Sequence, residues 1–361
     1  MNRYRLAAIV VVFVGVFGVV ATQVTSLREG FLDAASDALN TSAQDYPAPD
    51  FVGIDAWFNS EPLSVRELRG DVVLVDFWTY SCINCIRTLP HLRELYARYH
   101  SAGLEIVGVH SPEFDFEKDE DNVSQAIDEY AVTWPVAMDN DMETWSAYRN
   151  NYWPHVYLID RNGHVRFDYI GEGHDEAIEE DVRALLARGG TDLPAPLQGG
   201  SEGGGSEPIT PEIYLGPERG STQGFLANEE GYGSGTVDYG DVTPGEIEEA
   251  VPVGTFFLTG RWRAAGERLI ADEGAGIVLP FLARNVHIVA GVPEGDRNRI
   301  DARLDGDPID VGVAGEEMAA STVVVDGYDL YDLLALGDVE YHVLSLEFER
   351  GTSVYAFTFG S

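Results

Sequence analysis

The chain holds two cysteines, Cys82 and Cys85, separated by Ile83 and Asn84. Two intervening residues at the start of a helix let both sulfurs approach and close a small disulfide ring. The first sulfur then lies near free backbone N–H groups and the positive end of the helix dipole. A thiolate is stabilised there, so the first cysteine is the expected attacking nucleophile. The second can resolve a mixed disulfide by intramolecular attack. Half of a zinc site is another use of this spacing, but no second cysteine pair exists and His91 would add one ligand only. An inert structural disulfide is a further alternative. His91, His100, His110, His155, His164, His174, His287 and His342 fall at no metal-ligand spacing and read as ordinary polar positions. No metal and no cofactor are expected.

The elements that must position these sulfurs follow from the surrounding pattern. Residues 72–78 are a continuous apolar run broken only by Asp76, as expected for a strand buried on both faces. Residues 83–100 are helical and end at Gly103. Strands at 104–110, 136–138, 156–159 and 165–170 alternate with helices at 122–130, 142–148 and 176–188. Residues 46–188 thus read as an α/β sheet covered by helices. Residues 189–208 carry Pro194, Pro196 and a run of Gly and Ser, which predicts a flexible linker. Beyond it, helical periodicity disappears except at 330–336. Short strands between Gly and Asp turns predict an all-β sandwich or jelly roll over 209–361.

Two features lie ahead of the α/β unit. Arg3 and Arg5 precede an apolar run from Leu6 to Val24, roughly 28 Å long as a helix. Residues 1–25 therefore read as a single transmembrane anchor, or as a signal sequence, with the rest of the chain facing outside the cell membrane. Residues 26–45 read as a polar stalk. Disulfides persist in that compartment, which suits a redox dithiol. Asp and Glu total 61 against 23 Lys and Arg, for a net charge of −38, and Lys118 is the single lysine. That balance excludes nucleic acid as a partner. Such charge repels itself unless salt screens it, which predicts a halophilic setting.

The wider motif is specific. Asp76-Phe77-Trp78-Thr79-Tyr80-Ser81-Cys82-Ile83-Asn84-Cys85, followed by Pro90, resembles the thioredoxin active site. The segment around Tyr152-Trp153-Pro154 resembles the cis-proline loop of that family. The acidic stretch between Ser111-Pro112-Glu113-Phe114 and Trp134-Pro135-Val136 is similar to the insertion of TlpA-type extracytoplasmic thioredoxins. With Gly171-Glu172-Gly173, Thr210-Pro211-Glu212 and Ala356-Phe357-Thr358-Phe359-Gly360, the likeness extends to DipZ proteins over residues 46–361. The resemblance implies a redox-active Cys82–Cys85 disulfide, a cis Pro154, and Asp76 as a buried acid that exchanges protons with Cys85. It implies a substrate groove near Trp78, Tyr80, Ile83, Asn84 and Trp153, with Glu113 close by. It also implies exported protein dithiols or disulfides as substrates. DipZ proteins begin with a CcdA-like membrane domain. One apolar segment stands in its place here, so the electrons are expected from a separate CcdA/DsbD-like membrane donor.

Other readings compete. Thr79-Tyr80-Ser81-Cys82 is half of a peroxiredoxin signature, although Val75 stands where that signature needs proline. In the β domain, Tyr214, Tyr232, Tyr239, Trp262, Tyr328 and Tyr331 could form a stacking platform for a surface glycan, or be core. Asn40 and Asn122 open possible glycosylation sequons. The acidic run at 117–121 reads as a solvated face.

Overall fold

The computed structural model describes residues 41–190, 192–197, 209–242, 244–247 and 252–360. The apolar segment 6–24, Asn40, and residues 198–208 of the expected linker lie outside them. Among the described residues, no helix is long and apolar enough to cross a membrane.

The first domain has seven strands: β1 (Thr41–Pro47), β2 (Ala56–Phe58), β3 (Val72–Trp78), β4 (Leu104–His110), β5 (Val136–Met138), β6 (His155–Ile159) and β7 (His164–Ile170). Their order across the sheet is β1-β7-β6-β3-β4-β5-β2. The central β3 runs parallel to β4 and antiparallel to β6, and all seven of its residues are buried. Side chains alternate between two cores. Val73, Val75 and Phe77 face one; Val72, Leu74 and Trp78 face the other. Asp76 shares the phase of the second set. Helices α1 (Ile83–Tyr99), α2 (Glu120–Glu129), α3 (Glu143–Ala147) and α4 (Asp175–Ala187) complete this domain. On α1, Cys85, Leu89, Leu92, Leu95 and Tyr99 form a buried stripe at helical spacing, in the same core as Leu74 and Trp78. Pro90 lies inside this helix.

Two expected boundaries shift. Strand β1 starts at Thr41, inside the span read as stalk, because those residues pair with β7 and form the edge of the sheet. Residues 192–197 of the expected linker are bound to the domain. Leu193 and Leu197 pack on its core, Arg183 donates to the Pro194 carbonyl at 2.7 Å, and the Leu197 N–H donates to Glu179 at 2.8 Å.

The second domain is β-rich. It contains β8 (Ile213–Tyr214), β9 (Thr236–Tyr239), β10 (Phe257–Ala265), β11 (Arg268–Ala271), β12 (Gly276–Gly291), β13 (Asn298–Leu304) and β14 (Asp307–Pro308). It continues with β15 (Met318–Ala319), β16 (Thr322–Val325), β17 (Asp329–Phe348) and β18 (Ser353–Gly360), and among the described residues it has one α-helix, α5 (Pro217–Gln223). The strands form one connected eleven-stranded network. Strand β12 pairs with β17 over most of its length, with β10 near its start and with β18 near its end.

Residues 330–336, expected as a helix, lie in β17. Val286 pairs with Leu334 and His287 with Asp332, so Leu333 is an extra residue in the ladder. Leu333 and Leu334 are both buried. This bulge breaks the alternation of the strand and produces apolar spacing that imitates a helix.

Candidate active site

Cys82 caps the N-terminus of α1, and its sulfur accepts the Cys85 N–H at 3.3 Å. Cys82 is half-buried and Cys85 fully buried; both are free thiols. Burial pushes the Cys85 thiol well up, and the Cys82 sulfur and the Asp76 carboxyl push the same way. Asp76 is fully buried in β3, and both of its oxygens lack a hydrogen-bond partner in the structure. Burial raises its carboxyl to about 7. The Trp153–Pro154 bond is cis. The Trp153 indole N–H donates to the Ser111 carbonyl at 2.9 Å, which ties the proline loop to the end of β4.

The remaining groove residues divide. Ile83 and Asn84 are half-exposed at the helix start, and Trp153 is half-exposed. Trp78 is fully buried core, against the expectation that it lines the groove, because its position in β3 points it at α1 and Gly108. Tyr80 is also buried: its hydroxyl donates to the Tyr328 carbonyl of the second domain at 3.3 Å, so that domain covers it. Glu113 faces the second domain as well. Its carboxylate meets Arg219 at 2.5 Å and accepts from the Tyr214 hydroxyl at 2.6 Å.

Two polar groups next to the dithiol turn were misread in the sequence. His110 is fully buried, stacks on Tyr80 with ring centres 5.7 Å apart, and lies 3.3 Å from the Thr79 hydroxyl. Burial lowers its imidazole to about 3, so it is neutral. Glu117 belongs to no solvated face; it is fully buried. Its Oε1 accepts the Ser81 hydroxyl at 2.6 Å, and its Oε2 accepts the N–H groups of Glu113 and Phe114 at 2.5 and 2.9 Å. Burial raises it to about 7, against the pull of the Ser81 and Thr79 hydroxyls. Its place at the head of an acidic run gave no sign of this.

The second domain closes over the same region. Phe114 and Phe116 pack against Tyr355 with ring centres 5.2 and 4.8 Å apart, and Phe116 stacks on Tyr328 at 5.3 Å. Gly360 lies against the Arg87 guanidinium of α1, which leaves no room for a Cβ. A cavity of about 520 Å³ lies between the domains, lined by Tyr80, Ile83 and Ile86 on one side and Tyr328, Leu330 and Asp332 on the other. The six aromatics proposed as a glycan platform do not form one. Tyr239, Trp262 and Tyr331 are core, Tyr232 packs on that core, and Tyr214 and Tyr328 lie at the domain interface. Among the described residues, no group of His, Cys, Asp and Glu could hold a metal ion.

Known proteins match both domains. Residues 45–168 match the AhpC/TSA family, and residues 210–360 match the family described as thioredoxin like C-terminal domain. The protein DipZ of Mycobacterium bovis is 34% identical over 319 residues, which cover 87% of this chain. The chain is a homologue of DipZ. It spans 43% of the length of that protein. Over the first domain alone, the thiol-disulfide oxidoreductase YkuV of Bacillus subtilis is 28% identical, covering 39% of this chain and 95% of YkuV. The thiol-disulfide oxidoreductase ResA of Bacillus thuringiensis is 29% identical, covering 38% of this chain and 76% of ResA.

Proposed function

We propose that the chain is a thiol–disulfide oxidoreductase that reduces or exchanges disulfides of exported proteins. One observation carries the reading: an accessible thiol caps a helix three residues before a buried thiol, beside an unpartnered buried carboxyl. The Cys82 thiolate attacks one sulfur of the substrate disulfide, that S–S bond breaks, and one substrate thiolate leaves. Cys85 must then lose a proton that burial holds on tightly. Asp76, with its carboxyl near 7, takes that proton. The Cys85 thiolate attacks the Cys82 sulfur, the Cys82–Cys85 bond forms, and the second substrate thiol leaves. The substrate gains two electrons and the enzyme pair loses them. Pro154, Trp153, Ile83 and Asn84 shape the groove that receives the substrate chain. A CcdA/DsbD-like membrane protein returns the electrons, and the segment 6–24 anchors the chain in the membrane with both domains outside. The relatives named as thiol-disulfide oxidoreductases support the reaction class. The acidic composition supports work in concentrated salt.

The match to the AhpC/TSA family favours a second reading, thiol-dependent peroxide reduction. Val75 and the nearness of Cys85 to Cys82 weigh against it. Nothing in the geometry favours a glycan ligand, which would have to use surfaces other than the six aromatics.

The test is disulfide exchange by the purified chain with a protein disulfide and dithiothreitol. Cys82→Ser is expected to abolish turnover, and Cys85→Ser to trap a mixed disulfide through Cys82. Peroxide consumption faster than disulfide exchange, with sulfenic acid at Cys82, would overturn the first reading in favour of the second.

A further inference from the structure

Glu117 is a fully buried carboxyl whose partners are hydroxyls and backbone N–H groups rather than a cation. Burying such a group is costly unless its hydrogen bonds are needed where they are. Its two oxygens point to different places. Oε1 holds Ser81, the residue before the nucleophilic cysteine, within the turn whose Cys82 N–H donates to the Thr79 carbonyl. Oε2 holds the backbone of Glu113 and Phe114. Those two residues are fastened to the second domain: Glu113 by Arg219 and Tyr214, Phe114 by Tyr355, with the Arg219 guanidinium 6.0 Å above the Phe114 ring.

A continuous chain of contacts therefore runs from Arg219 through Glu113 and Glu117 to Ser81 and Cys82. We propose that Glu117 is a positioning residue for the dithiol turn, and that the β-rich domain sets the redox balance of Cys82–Cys85 through it. The inference rests on the oxidoreductase reading above. It gives the second domain a role in the reaction itself, in place of that of a tethered binding module. The Cys82 sulfur depends on its distance from the Cys85 N–H, and the turn that fixes this distance is gripped by Glu117. A shift of the second domain moves residues 113–117, and these move the turn.

The experiment measures the equilibrium constant of the couple against glutathione in the full chain. The variants are Ser81→Ala, Arg219→Ala, the two combined, Glu117→Ala and Glu117→Gln. Ser81→Ala and Arg219→Ala are each expected to shift the constant at least about threefold in the same direction, and the double variant no further than Ser81→Ala alone. Glu117→Gln should recover most of the shift caused by Glu117→Ala, since a turned amide accepts from both backbone N–H groups and donates to Ser81. An unmoved constant in Arg219→Ala or Ser81→Ala would overturn the proposal, and so would shifts that simply add. Should Glu117→Ala fail to fold, the Ser81 and Arg219 variants decide alone. A wild-type chain without a reversible couple would overturn the functional reading and this inference together. A normal wild-type couple with unmoved variants would overturn this inference only.

Discussion

The fully buried Asp76 has the clearest pH consequence of any single residue. Its carboxyl is raised by burial to about 7, so between about pH 4 and 7 the folded protein keeps a proton that the unfolded chain has lost. Stability therefore falls as pH rises through that window, by on the order of 4 kcal/mol. Asp76→Asn removes this penalty. Denaturant unfolding should show the variant more stable than wild type at pH 8, with the difference shrinking towards pH 5. The same change should slow resolution by Cys85 on the order of 100-fold at pH 7, read as accumulated mixed disulfide. At this scale much was legible. Spacing pointed to Cys82 and Cys85, and resemblance to Asp76 and Pro154; the structure buries Asp76 on the face of β3 that looks towards α1 and has the Trp153–Pro154 bond cis. Glu117 and His110 were not legible, because burial of a polar side chain depends on what packs over it.

Among the elements, the approach of β4 to β3 illustrates a constraint the sequence hides. A Cβ on Gly108 would lie 3.0 Å from the Trp78 indole nitrogen and 3.2 Å from that of Trp134, and both rings are fully buried. Gly108→Ala should therefore destabilise the first domain by roughly 1–3 kcal/mol in thermal unfolding. A variant as stable as wild type would show that these rings can move aside. The strands and helices around the dithiol were readable because buried parallel strands and amphipathic helices have distinct periods. Residues 330–336 misled for the converse reason. One bulged residue, Leu333, put two apolar side chains in sequence, and only the pairing with β12 reveals a strand. The edge strand β1 was missed because its pairing with β7 sets its structure more than its own composition does.

For the whole molecule, charge dominates. A net charge of −38 on 361 residues is self-repulsive at a Debye length of ~10 Å and largely screened at ~3 Å. Raising potassium chloride from 0.1 to 2 M should raise the melting temperature by more than about 5 °C. A falling or unchanged value would remove the argument for concentrated salt. Composition made legible the division into an α/β and a β-rich part. The docking of the two parts was not legible. A Gly/Ser-rich joint suggests a loose tether, yet Glu113, Phe114, Phe116 and Tyr80 all meet the second domain, and these contacts join residues far apart in sequence.

The reduction potential of the Cys82–Cys85 couple tests the central claim most directly. The full chain would be equilibrated in molar salt against defined thiol buffers and read by thiol trapping. A reversible two-electron couple near or below about −230 mV is the predicted result, placing the protein among reductants. A value near about −120 mV would make it an oxidant and contradict the proposed direction. The absence of any reversible couple would contradict the oxidoreductase reading itself.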